Sequence, residues 1–383
     1  MKLTARTPGT PRNNPSQTLP FLATLVSWRF RIIFFAFVLL PAVLVGTSTA
    51  TAQEPAELRI AAVGDIMLGG TGTPEFQRFG YDYPFEKTRG LLKQAQLVFG
   101  NLEGPMTHAD HAPVEKKYVY RSPPEKVAPA LRNAGFNVVS LANNHTMDQG
   151  VEGLRHTLEA LDLVGIKYAG AGMDLAAARR PAILQAGNTR VAFLAYTLTF
   201  PEEFWATPDK PGSPFGHEAH VRADIAAATQ QADIVIVSFH WGAEGKIELR
   251  DYQKQLGRAA IDAGAAAVIG HHPHVLQGVE RYRHGVILYS LGNFAFGTYG
   301  PEAFRSAIAF LTFRDKKLAE LRLHPLNVRN AEVVFQASPL DGAAADKVVA
   351  ELQALSKPLG TRLENRNGVA VLTFGTESRT AQH

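Results

Sequence analysis

Residues 58–70 read LRIAAVGDIMLGG, an apolar run of small and β-branched residues that stops abruptly at Gly64-Asp65. A short continuous apolar run closed by a turn signal predicts a strand buried on both faces. The pattern recurs as AQLVFG (95–100), NVVSLA (137–142), RVAFLAY (190–196), DIVIVSF (233–239), AAAVIG (265–270) and GVILYSLG (285–292). Between these runs, apolar residues spaced three and four apart predict helices at 152–165, 220–231 and 250–264, with Gly264 as a C-cap. Strands alternating with helices predict an α/β fold.

Polar clusters follow six of the seven runs: GDIMLGG, NLEG, NNHTMDQG, HWGAEG, HHPH and NFAFG. Ligands of open α/β sheets bind beyond the carboxyl ends of the strands, so clusters distant in sequence are expected to converge on one site. Two long connections, 105–125 and 197–219, are rich in Pro, His, Lys and aromatic residues and are read as walls of a cleft. Beyond Gly300, SAIAFLTF (306–313), LAELRLHPL (318–326), AEVVFQA (331–337) and GVAVLTF (368–374) are read as strands, with a helix at 345–356. No linker precedes them, and they are expected to form a second sheet packed on the first, completing one domain over 53–300 and 301–383.

Residues 1–52 carry Lys2, Arg6, Arg12, Arg29 and Arg31 without an acid, then the apolar IIFFAFVLLPAVLVG and Ala50-Thr51-Ala52. This is the pattern of a signal peptide or an N-terminal anchor, and it predicts an exported, periplasmic or extracytoplasmic chain. The net charge of +4 resides in this leader, so nothing points to nucleic acid as a partner. The chain has no cysteine, which excludes disulfides and thiolate ligands. Any bound metal must use His, Asn and carboxylate donors.

Three histidines fall in VIGHHPHV, residues 268–275. Pro273 disfavours helix for the residue before it and predicts an extended segment, which puts His272 and His274 on one side and His271 on the other. The pair is read as metal ligands, with His271 in a supporting role. Asp65 is a further candidate ligand, with a helix N-cap as the alternative. Glu103 is another, the alternative being a solvated loop acid. In NNHTMDQG, Asn144 can ligate through its carbonyl, while His145 can act as general acid or base oriented by Asp148; a plain turn is the alternative. His240 ends an apolar strand, where a buried imidazole needs either a ligand role or a hydrogen-bonded partner. Asn101, Asn143 and His271 are expected to line the same site. This nitrogen and oxygen donor set suits one or two divalent ions of Mn, Zn or Fe. Two such ions about 3.5–4 Å apart clamp a phosphoryl oxygen and activate water, and Glu103 is the natural bridge.

Taken in order, GDIMLG, NLEGP, ANNHTMDQG, FHWGAE, GHHPHVLQGVE and YSLGNFAFG resemble the CapA family of poly-γ-glutamate capsule biosynthesis proteins, which is related to the calcineurin-like metallophosphoesterases. The likeness runs from Leu58 to Gly297. It implies an α/β, four-layer α/β/β/α sandwich of two packed mixed sheets flanked by helices. It also implies Asp65, Glu103, Asn144, His240, His272 and His274 as metal ligands, His145 as catalytic acid, and Glu244 and Asn293 as further positions lining the site, with a loop acid and a turn residue as their alternatives. The departure is Met67, which stands where the related phosphoesterases have a histidine ligand. The resemblance implies a metal-dependent phosphoesterase acting on an anionic envelope polymer or a phosphorylated small molecule. An accessory protein that binds poly-γ-glutamate or a membrane synthase complex is the competing expectation. Lys116, Lys117, Arg121 and Arg250 could form cationic walls for such a polymer, with a solvated charged surface as the alternative.

Overall fold

The computed structural model of the protein describes residues 57–298 and 304–375, so the predicted leader lies outside the described residues. The strands in chain order are β1 (Glu57–Met67), β2 (Leu97–Leu102), β3 (Val138–Ser140), β4 (Lys167–Ala169), β5 (Ala182–Ala186), β6 (Thr189–Thr197), β7 (Ile234–His240) and β8 (Ala267–His271). They continue as β9 (Val279–Tyr282), β10 (Gly285–Leu288), β11 (Asn293–Phe296), β12 (Arg305–Arg314), β13 (Lys317–Asn327), β14 (Ser338–Pro339), β15 (Glu364–Arg366) and β16 (Val369–Thr373). The helices are α1 (Thr73–Phe79), α2 (Arg89–Leu92), α3 (Pro124–Ala134), α4 (Gly150–Val164), α5 (Leu175–Ala178), α6 (Glu218–Thr229), α7 (Asp251–Asp262), α8 (Asn330–Val333) and α9 (Gly342–Ser356).

Two mixed sheets result. The first has the order β15-β16-β13-β12-β1-β2-β3-β4, with β11 also on β1 and β14 on β13; the second is β5-β6-β7-β8-β10-β9. The seven apolar runs are β1, β2, β3, β6, β7, β8 and β10. Alternation along β1 explains why the run is apolar throughout. Leu58, Ile60 and Ala62 enter the core between the sheets, while Ala61 and Val63 enter a second core under α3 and α4. On β7, Ile234 and Ile236 join the inter-sheet core, and Val235, Val237 and Phe239 join a third core under α6 and α7. Three cores between four layers make an α/β/β/α sandwich, with buried apolar area as its main stabilising term. Among the described residues, no helix is long and apolar enough to cross a membrane.

The C-terminal strands depart from expectation. They form no sheet of their own; β12 runs antiparallel to β1 from Glu57↔Arg314 to Ala62↔Ala309, and β13 and β16 extend the same sheet. The 331–337 run is not a strand. Its first residues belong to α8, and Val334 and Phe335 then take left-handed conformations, φ 50° and 60°. Burial of Phe335 and Ala337 in the helix-side core overrides the β-branched propensity there. Helix α3, with Pro129 inside it, has no counterpart in the sequence reading. Its buried Val127, Leu131 and Ala134 anchor it on the first sheet.

Along β1, β12 gives way to β11, which pairs parallel with Asp65–Met67. This close approach needs Gly64: a Cβ there would stand 1.8 Å from the Gly292 carbonyl oxygen. Gly64→Ala is therefore expected to cost about 1–3 kcal/mol through overpacking, read as a lowered midpoint in urea denaturation.

Candidate metal centre

At the carboxyl ends of the parallel strands the two sheets contribute different chemistry. The first sheet brings acids and amides: Asp65 on β1, Asn101 and Glu103 from β2, the 143–148 turn after β3, and Asn293 on β11. From the second come imidazoles, His240 at the end of β7 and His271, His272 and His274 at and after β8. Every one of these residues except Asn144 and His274 is buried.

Asp65 and Glu103 are wholly buried. Asp65 Oδ1 accepts from Asn101 Nδ2 at 2.9 Å and lies 3.2 Å from His271 Nδ1. Its Oδ2 accepts the backbone N–H of His272 at 3.2 Å and lies 3.3 Å from His274 Nδ1. Burial alone would raise this carboxyl, but His271 and His274 pull it well below its usual range. Glu103 goes the other way, pushed well up by burial and then by the Asp65 charge. Its Oε1 forms no hydrogen bond, and faces His274 Nε2 at 3.7 Å, His240 Nε2 at 3.8 Å and His145 Nε2 at 4.0 Å. A buried acceptor without a donor is costly, and a cation placed among these nitrogens would satisfy it.

The ring nitrogens divide in the same way. His240 Nε2 lies 2.8 Å from Asn144 Oδ1, and its ring is 4.7 Å from that of His272. His272 falls to about 3, through burial and then the charge of His274. His274 is held up at about 10 against burial, with Glu103 and Asp65 facing it. Two donor sets, Glu103–His240–His272 and Asp65–Glu103–His274, each keep their ligand atoms within 4.8 Å of one another and share Glu103. A third set joins exposed Glu244 to His272 and His274. An orphaned carboxylate oxygen among imidazoles and a carboxamide oxygen fits a divalent transition ion.

The backbone route to the histidines differs from the expected one. The stretch is not extended: His272 has φ 94° and His274 φ 58°, both left-handed. The turn is held by the His272 N–H on Asp65 and by Gly245 N–H on the Pro273 carbonyl at 2.9 Å. His271 therefore does not face away from the acids; it lies against Asp65, yet it enters none of the three donor sets. Strain of this kind is stored where function fixes a side chain.

Beside Glu103, His145 Nδ1 lies 2.6 Å from Asp148 Oδ2, so Nε2 is the nitrogen turned to the centre. Asn143 Oδ1 accepts the His145 N–H at 3.0 Å, and Asn143 Nδ2 donates to Asn101 Oδ1 at 3.2 Å. Asn293 Oδ1 sits 2.8 Å from His274 Nδ1. Met67 does not point a donor at the acids. Its Sδ accepts the Gly69 N–H at 3.2 Å, and it packs with Tyr120 and Phe296.

Two partners of this network carry no motif. Lys116, from the 105–123 loop, puts Nζ 2.6 Å from Asp148 Oδ1 and donates also to the Asn144 carbonyl. Burial draws its ammonium below the ordinary value while Asp148 holds it up. It lies 5.0 Å above the ring of Phe204, so the two long loops meet over the site. The Tyr120 ring lies 4.4 Å from the His145 ring, tilted by 39°, and Tyr120 donates its N–H to Asp148 Oδ2 at 2.7 Å. Of the other expected wall cations, Lys117 lies over Tyr118, Arg121 pairs with Asp110 and borders the gap beside Glu103 and Met67, and Arg250 precedes α7.

Comparison with known proteins gives a consistent set of relatives. Residues 59–298 match the family described as "Bacterial capsule synthesis protein PGA_cap". The capsule biosynthesis protein CapA of Bacillus anthracis is 35% identical over 295 residues, covering 76% of this chain and 72% of that one. The PGA biosynthesis protein CapA of Bacillus subtilis is 33% identical over 276 residues, 72% of each chain. A "probable polyglutamine synthesis accessory protein" of Mycobacterium tuberculosis is 35% identical over 247 residues, 60% of this chain and 65% of its own. Among solved structures, the NAD nucleotidase of Haemophilus influenzae aligns with a TM-score of 0.44 at 14% identity, over 79% of this chain and 56% of that one.

Asp148 is the keystone of the His145 side of the site, and its carboxylate is fully buried. Asp148→Ala, which strands the Lys116 ammonium, is expected to cost about 3 kcal/mol in urea denaturation. Adding Lys116→Met should recover part of that loss, a coupling measured by the double-mutant cycle.

Proposed function

Because the chain belongs to the bacterial capsule synthesis family PGA_cap, we propose that it serves the making or trimming of an anionic envelope polymer, poly-γ-glutamate by its kinship, as a metal-dependent hydrolase of the phosphoester type. The observation that carries this reading is Glu103: a buried carboxylate with an unsatisfied oxygen, shared by two donor sets and flanked by an oriented imidazole.

Asp65, Glu103, Asn144, His240, His272 and His274 would hold one or two divalent ions. Bound there, the metal supplies Lewis-acid polarisation of a phosphoryl oxygen and a nucleophilic water at neutral pH. The chain's own chemistry is centred on His145. Asp148 fixes its Nδ1–H tautomer at 2.6 Å, which leaves Nε2 to receive or deliver a proton at the leaving oxygen. Burial favours the neutral ring and Asp148 opposes it, which suits exchange of a proton during turnover. Tyr120 lies against the His145 ring and Phe204 lies under the Lys116 ammonium. Substrate would be a phosphorylated small molecule or a polymer end, and the leader at 1–52 would place the chain outside the cytoplasm, next to a membrane synthase complex.

A second reading is favoured by the mycobacterial relative, named as an accessory protein of polyglutamine synthesis. In it the chain binds the polymer or its synthase and turns nothing over. The experiment is a panel of phosphomonoesters and phosphodiesters given to the full chain, metal-free and Mn-loaded. Chelation should abolish hydrolysis, and His145→Ala should lower kcat by about 10²–10⁴-fold with KM little changed. No hydrolysis by the Mn-loaded chain, with poly-γ-glutamate bound, would replace the enzyme by the accessory protein.

A further inference from the structure

The two donor sets that share Glu103 are not equivalent. On one side stand Glu103, Asn144, His240 and His272, with His240 Nε2 and Asn144 Oδ1 already 2.8 Å apart. The Glu103 oxygen and His272 Nδ1 are both buried without a hydrogen bond. This side therefore has four nitrogen or oxygen donors, two of them with atoms that nothing else satisfies.

On the other side stand Asp65, Glu103 and His274. Both Asp65 oxygens are already engaged, Oδ1 by Asn101 at 2.9 Å and Oδ2 by the His272 N–H at 3.2 Å. His274 Nδ1 is committed to Asn293 at 2.8 Å, so only Nε2 remains for a ligand. His271, with both ring nitrogens buried and unbonded beside Asp65, enters neither donor set, and the other neighbour is Met67, which borders Glu103 in a narrow gap also lined by Tyr120. It offers a thioether, a soft donor poorly matched to divalent Mn, Zn or Fe, and its sulfur is held by the Gly69 N–H.

We propose that the chain binds one divalent ion tightly at Glu103–Asn144–His240–His272 and a second weakly at Asp65–Glu103–His274, because Met67 leaves the second position short of a nitrogen or oxygen ligand. The inference rests on the metal-binding reading above. It makes the tight ion the resident one and the second an ion that exchanges with its surroundings.

The test is metal content and affinity, independent of turnover. Metal-free full chain is titrated with MnCl₂ by calorimetry, and the Mn retained through gel filtration is measured. One retained Mn per chain is expected, with a second binding event at least about tenfold weaker. Asn144→Ala should lose the retained ion, and His274→Ala should keep it. Met67→His should retain a second. Two ions bound equally tightly by the unaltered chain would overturn the inequality and leave the metal reading standing. No binding at all would overturn the metal reading itself. A Met67→His variant with an unchanged thermal midpoint that still retains one ion would refute the ligand-shortage cause. Were that variant to misfold, the contrast between Asn144→Ala and His274→Ala still decides which position is tight.

Discussion

The centre is governed by one electrostatic conflict: Asp65 and Glu103, two wholly buried carboxylates, lie close enough for each to feel the other's charge. Two negative charges in a poorly polarisable interior cannot stand together without compensation. The surroundings supply it unevenly. Asp65 takes the Asn101 amide, the His272 backbone N–H and two neighbouring imidazoles, whereas Glu103 keeps an oxygen that no donor reaches. The histidine turn, the amides of Asn101 and Asn143 and the contact of β11 with β1 all make sense as parts that hold this pair in place.

Strands and the main helices were legible because their burial is simple. A strand covered on both faces needs apolar side chains in both phases, and β1, β6, β7, β8 and β10 have them. Helices α4, α6 and α7 show a stripe because one face only meets a sheet. What stayed hidden depends on distant partners. Helix α3 carries Pro129, a breaker by local rules, and is held by packing on the first sheet. Residues 331–337 look like a strand until Phe335 is buried elsewhere. No local pattern could say that β12 would pair with β1 rather than start a new sheet.

The candidate site was legible in residue type and illegible in geometry. Donor-type side chains at strand ends are conspicuous beside apolar runs, and the structure draws Asp65, Glu103, Asn144, His145, His240, His272 and His274 together. The selection of His272 and His274 rested on the family resemblance and on an extended backbone, and the second ground fails, since both residues are left-handed. Lys116 is expected from the sequence only as a cationic wall of the cleft and Tyr120 gives no signal, because a loop residue acquires its partners only when the loop is folded back. Their contacts with Asp148 and His145 belong to tertiary structure alone.

The division of labour between the sheets, acids and amides from one and imidazoles from the other, bears on how the protein matures. Within residues 57–150 the imidazole facing a buried carboxylate is His145, and within 233–296 the carboxylate near His272 is the exposed Glu244; bringing buried Asp65 and Glu103 to His240, His272 and His274 needs both segments. The donors span the chain from Asp65 to Asn293 and meet only after the sandwich has closed over its inter-sheet core. Such long-range contacts are formed late in folding. Any ion bound by this centre would therefore find its full donor set only after the sandwich has closed.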